Sequence, residues 1–382
     1  MSGNKVNTRV DATMASTLAA AGLDGEAFGP GDGQGDDGVK LLDMESVRLL
    51  LTGGSVVDWR RLRFENRTQV VRFLAVNGFN VGDAREVARL RDLHLRAIDY
   101  VEETFDIRIP RQLRDPDDLC DLFLMASCDQ RSLQQAACVV AKVMHVINHL
   151  EARRLNYHLS VSERALFDAA AHKVDEYIHR MRAEGLGIAR YEPSTKTEYS
   201  LYTKLISKPR VTAAQIFDKL RFRLVTYERT DLVEVMVWLT RNLFPFNHVI
   251  TGESHNTILS EDEIQRHLGD LAGSSESLRG RGPLSPNPAS DRGYHTVNFV
   301  VELPVRIRRV CSLEDCRRFE HLGHLVLVTQ EFQLFDLATA EANEIGPANH
   351  DAYKARQLRL VGGRLWGMTA PRLKSDNPGD EP

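Results

Sequence analysis

The apolar residues of this 382-residue chain change their period once, near Gly187, and that change limits the folds open to it. Before it, "SLQQAACVVAKVMHVINHLEARRL" and "SERALFDAAAHKVDEYIHRMRAEG" carry apolar side chains three and four apart, as amphipathic helices do. In the first, Ala136, Val139, Val140, Val143, Ile147 and Leu150 are expected on one stripe. Ser160 or Ser162 is placed to cap the helix that follows, and Gly185 with Gly187 to close it. After Gly187, "RFRLVTY", "YHTVNFVVELPV" and "HLVLVTQEFQLF" alternate or run with β-branched and aromatic residues, as strands do. Helical patterns, "EYSLYTKLISK" and "TDLVEVMVWLTRNLF", separate them. The expected architecture is therefore an α/β sheet domain preceded by an all-helical unit.

The boundaries follow from composition. Residues 1–40 are rich in Gly and acidic side chains and are expected to be a disordered tail, because they bury too little to offset their entropy. The helical domain is expected over 41–185, the sheet domain over 186–360 with a mobile Gly/Ser/Pro-rich loop at 272–293, and a tail over 361–382. An apolar content of 42% and a charged content of 27% are those of a soluble globular protein. Five cysteines without a CxxC pair argue against a disulfide framework or a four-cysteine zinc site, and fit a reducing compartment. No apolar leader core and no run of 18 or more apolar residues is present, so no membrane partner is expected and the cytoplasm is the expected location. His145 and His149 have the spacing of two metal ligands, but "HVINH" lacks the glutamate of a zincin; packing between helices is the favoured reading.

Charge is uneven although the formal net is only -4: residues 190–229 hold nine Lys/Arg against four Asp/Glu, which suits phosphates of any origin. In the run "TQEFQLF", Glu331 and Gln333 fall on one strand face, because side chains alternate with period two. A carboxylate at Glu331, in an apolar run with Phe332 and Leu334, is expensive to bury without a cation beside it. That face is therefore expected to meet metal and phosphate.

Five blocks in order then resemble the synthetase domain of the RelA/SpoT family of alarmone synthetases, over roughly residues 186–356. "KTEYSLYTKLISK" has its K-x-x-x-S-x-x-x-K arrangement, with Lys196, Ser200 and Lys204. "FDKLRFRLV" is similar to its Asp strand, aligning Asp218 and Arg223, and "RGYHTVNFVVELP" to its Gly-Tyr block, aligning Gly293 and Tyr294. "QEFQLF" resembles Glu-x-Gln-x-Arg, aligning Glu331 and Gln333, and "EIGPANHDAYK" its Glu-His…Tyr-Lys helix. Departures are definite: Ser194 and Phe335 stand where the family has arginines, Arg221 where it has glycine, and Thr296 and Asn298 where it has serine and histidine.

The resemblance implies an α/β (α+β), nucleotidyltransferase-like fold, a mixed β-sheet flanked by helices and preceded by the all-helical domain, that moves pyrophosphate from ATP to the 3'-hydroxyl of GDP or GTP with Mg2+ as cofactor. Asp218 and Glu331 would be the catalytic carboxylates and metal ligands, Glu331 serving as ligand or general base. Lys196, Ser200 and Lys204, spaced on successive turns of one helix face, would grip the triphosphate. Lys208, Arg210 or Arg221 would stand in for the missing arginines, although a relocated cation does not reproduce a bidentate fork. Arg223 would support the acceptor or the carboxylates, with Gln333 beside it, and Tyr294 would stack on guanine. Two other readings stay open: the same transfer to the 3' end of a tRNA, and a degenerate domain that binds nucleotide and regulates. Read singly, the lysines suit a solvated helix face, Tyr294 a core ring and Asp218 a cap.

Overall fold

The structure is a computed structural model that describes residues 41–53, 62–207, 216–260, 262–264, 293–345 and 350–366. The expected tail at 1–40, nearly all of the expected loop at 272–293, and most of the C-terminal tail lie outside these residues. Among the described residues seven helices precede the first strand: α1 Leu41–Thr52, α2 Arg67–Val76, α3 Ala84–Phe105, α4 Arg111–Arg114, α5 Cys120–Met125, α6 Arg131–His158 and α7 Glu163–Ala183. Their starts are written in polar side chains. Asn66 accepts from Gln69 N–H, Asp83 from Arg85 N–H and Ser162 from Ala165 N–H, so Ser162 rather than Ser160 caps α7. Gly185, at φ +89, turns the chain out of that helix where a side chain would be strained.

Among the described residues there follow β1 (Ile188–Thr195), α8 (Glu198–Ser207), β2 (Leu220–Thr226), α9 (Asp231–Asn242), β3 (His255–Asn256), β4 (Val297–Arg306), α10 (Leu313–Arg318), β5 (Leu325–Asp336), α11 (Leu337–Asn343) and α12 (His350–Trp366). The sheet order is β1-β2-β5-β4-β3; β2 and β5 are parallel and every other pair antiparallel, the mixed sheet expected. Register decides what each face carries. Phe222, Phe332 and Phe299 lie side by side on one face, with ring centroids 5.4 and 5.6 Å apart, and Phe244 packs on the last two. Val174, Ile178 and Met181 of α7 and Leu232, Met236 and Leu239 of α9 belong to the same core. A second core, among α2, α3, α5 and α6, centres on Phe64, Phe73 and Phe123.

The opposite sheet face is shared. On β4, Glu302 meets Arg153 and His149 of α6, so this helix covers that end. The other end, toward Asn298 and Gln333, keeps its polar side chains. The stripe expected on α6 is shifted: Val139 and Leu150 are exposed, while Ala137, Ala141, Met144, Ala152 and Leu155 are buried. A 28-residue helix that touches two cores presents more than one line of contact, and local spacing cannot choose between them.

His145 and His149 point inward to His248, the last residue of the 3-10 turn Phe246–His248, with centroid separations of 4.9 to 6.2 Å. Burial keeps all three below the ordinary histidine value of 6.5, His145 at about 3. The folded chain therefore resists protons that the unfolded chain takes up. Stability is retained above pH 6.5 and is expected to fall as the pH drops toward 3, by up to ~1.4 kcal/mol per pH unit for each histidine. Denaturant titrations at pH 7.5 and 5.5 check this; equal midpoints would show that the trio titrates normally.

Candidate active site

Three segments meet at the open end of the polar face. The first is the β1–α8 junction. Lys196 follows β1 and precedes α8, and its backbone N–H donates to Lys219 O at 2.9 Å. Only Ser200 and Lys204 are helical, which corrects the expectation of one helix face carrying all three. Lys204 nevertheless reaches the same place as Lys196, because both ammonium groups pair with Asp218, the residue two before β2. Ser200 is exposed, with its hydroxyl 3.0 Å from that of Thr197.

The second segment is β2, whose Arg221 pairs in register with Glu331 on β5, and Arg223 with Gln333. The third is β5 with its antiparallel neighbour β4, where Asn298 lies opposite Gln333 and its side chain donates to Glu331 Oε1. Glu331 is buried at 8% exposure. Burial pushes its carboxyl above the usual glutamate range and the charge of Asp218 pushes it further, while Arg221, Lys196 and Lys204 pull it back. These five charges therefore act on one another. Burial also raises Asp218, but Lys196 and Lys204 outweigh it and hold the acid at about 2. Lys196 is lowered by burial, which Asp218 opposes and Lys204 reinforces.

Tyr294 stands at the rim of this cluster, edge-on to Phe335 with centroids 6.2 Å apart. Burial raises its hydroxyl, and Arg223, Glu331, Arg221 and Tyr353 of α12 all act on it. Arg223 lies over the other neighbour of that ring system, its guanidinium carbon 4.7 Å from the Phe335 centroid and a nitrogen 3.7 Å from Glu192. Arg221 Nε donates to Ser194 Oγ at 3.2 Å, its register partner on β1. Each position that departs from the family arginine pattern, Ser194 and Phe335, is thus covered by a guanidinium from β2. Lys208 and Arg210 lie outside the described residues.

Sequence reasoning brought together Lys196, Lys204, Asp218, Tyr294, Glu331 and Gln333. It offered Arg221 as one of three stand-in cations and named Asn298 only as a departure, yet they are the two side chains directly beside Glu331. The two-residue period of β2 was the available signal for Arg221; strand order was needed to use it. Arg190 went unnoticed: it sits diagonally from Arg223 on the same face, with Nε and Nη2 buried and unpartnered.

Two hard carboxylates, one of which raises the proton affinity of the other, are the kind of pair a divalent cation relieves. Among the described residues no group of three or more His, Cys, Asp or Glu is positioned to hold a metal. Asp218 and Glu331 would therefore supply two ligands, leaving phosphate and water to complete the shell, as suits Mg2+. Among the described residues no helix is long and apolar enough to cross a membrane.

Fold and site together define a mixed-sheet domain with two carboxylates and three cations clustered at one end of the sheet. No protein-family model matches the chain, and no curated protein matches it. Among solved structures it is similar to small alarmone synthetase 1 from Bacillus subtilis, at 13% identity and TM-score 0.30, over 53% of this chain and 86% of that one. It is also similar to a GTP pyrophosphokinase family protein from Streptococcus pneumoniae, at 14% identity and TM-score 0.29, over 53% and 84%. The Bacillus subtilis synthetase bound to its product pppGpp aligns at 14% identity and TM-score 0.29, over 50% and 77%.

Proposed function

We propose that the chain transfers the pyrophosphate of ATP to the 3'-hydroxyl of GDP or GTP. The observation that carries this reading is the convergence of Asp218, two residues before β2, and Glu331, on the neighbouring parallel strand β5, with Lys196, Lys204 and Arg221 around them. In this reading the two lysines leave Asp218 for the triphosphate oxygens when ATP arrives. Arg221 adds a guanidinium where charge develops on the phosphoryl oxygens. Bound Mg2+ would neutralise phosphate charge at Asp218 and Glu331. Glu331, fixed through one oxygen by Asn298, takes the proton of the 3'-hydroxyl through the other. That hydroxyl oxygen attacks the β-phosphorus, the bond to the α-phosphate oxygen breaks, and AMP leaves. Tyr294 offers its ring to guanine, and the raised proton affinity of Glu331 suits a base working near neutral pH.

The basic stretch around β1 and β2 also fits a tRNA 3' end as acceptor, and the positions Ser194 and Phe335 fit a nucleotide-binding regulator. Purified protein incubated with Mg2+, γ-labelled ATP and GDP, GTP or deacylated tRNA separates these. Label is expected in the guanine nucleotide. Label on tRNA instead would replace the acceptor, and nucleotide binding without transfer to any of the three would remove the catalytic reading.

A further inference from the structure

Two thiols outside the charged cluster stand in direct contact. Cys311 follows the turn Ile307–Arg309 at the end of β4, and Cys316 lies in α10; their sulfurs are 3.5 Å apart and both side chains are half-buried. We propose that Cys311 and Cys316 form an oxidative modification site, a dithiol that closes to an intramolecular disulfide and reopens on reduction.

A disulfide needs sulfurs about 2.05 Å apart, so closure requires a movement of roughly 1.5 Å, within reach of side-chain rotation and a small backbone adjustment. The backbone here is suited to adjust. It consists of short turns and a six-residue helix, ending at Gly323 with φ +100, outside the strand ladders. Cys311 donates its thiol proton to Ile307 O at 3.0 Å, and burial together with the Cys316 contact pushes it up to about 12. Cys311 therefore keeps its proton, and Cys316 is the thiol that meets an oxidant first. With a peroxide, the Cys316 thiolate attacks one oxygen and the O–O bond breaks, giving a sulfenic acid and water once protons are taken up. Cys311 then gives its proton to the leaving hydroxide as its sulfur attacks that of Cys316; the S–S bond forms, the S–O bond breaks, and a second water departs. Two thiols are oxidised and one peroxide is reduced. The other cysteines are poorer candidates: Cys120 and Cys138 are buried in the helical core, and Cys128 has its thiol toward Gln130 O.

Both cysteines fall in one tryptic peptide, Val310–Arg317. After exposure of the full chain to equimolar hydrogen peroxide, that peptide is expected to lose two hydrogens and refuse alkylation. Free thiols should fall from five to three, and dithiothreitol should restore all five. Cys311→Ser, checked for folding by circular dichroism, should leave Cys316 as a sulfenic acid trapped by dimedone. Should that variant misfold, the wild-type peptide decides the matter alone. A Val310–Arg317 peptide that stays fully alkylated, ends as a sulfinic acid, or joins two chains would overturn the proposal. None of these readouts depends on the transfer reaction.

Discussion

Glu331→Gln is expected to lower pyrophosphate transfer roughly a thousandfold, in the range general-base removal produces, while nucleotide binding changes only a few-fold. The substitution keeps size and shape, and the new amide oxygen still accepts from Asn298. It removes the group that takes the proton and one of the two carboxylates available to a divalent cation. Because burial and Asp218 both disfavour the charge on Glu331, its loss relieves a cost, and the variant should be no less stable than the parent. Transfer assays, nucleotide titration and thermal unfolding on one preparation read all three quantities. The pH dependence has a definite sign. Glu331 acts only when ionised and is held above its ordinary value of 4.5, so activity should fall on the acid side beginning above that pH. If Glu331→Gln unfolds the protein, or transfers at the parent rate, the glutamate is structural and the assignment of the cleft fails.

Phe332→Ala is expected to cost about 3–5 kcal/mol of stability, the range for truncating a large buried aromatic ring. Phe332 is fully buried and touches Phe222, Phe244 and Phe299. Those rings belong to three different elements or their flanks, so the void cannot close by one side chain leaning in. The residue lies between Glu331 and Gln333 but faces the opposite way. Thermal or denaturant unfolding should therefore move strongly, and Phe332→Leu should recover most of the loss by refilling volume. A cost below about 1 kcal/mol for Phe332→Ala would mean that this face of the sheet is not close-packed.

The two substitutions separate the faces of a single strand. Their contrast also explains why a chain with Ser194 and Phe335 keeps a cationic cleft. On β2, Arg221 and Arg223 are two residues apart and share the Glu331 face. One donates to Ser194 and the other stacks on Phe335, so positive charge is supplied from the neighbouring strand rather than from the positions of the family pattern.

Period alone determined much of this molecule. The turn from helical to strand spacing near Gly187, the Glu331–Gln333 face, a cap at Ser160 or Ser162 and the alternation of strands with helices were all legible in the chain, because each depends on residues within about a turn or a strand of one another. The order of the blocks also brought out Lys196, Lys204, Asp218, Tyr294 and Glu331 before any contact between them was known. Only the tertiary structure decided what stands beside them. That Arg221 rather than Arg223 flanks Glu331 follows from the parallel register of β2 on β5. That Asn298 holds Glu331 follows from the register of β4. That Val139 and Leu150 face outward follows from α6 lying between two cores. Register and helix rotation are settled by the sum of many distant contacts, and a local pattern of apolar residues is compatible with more than one such sum.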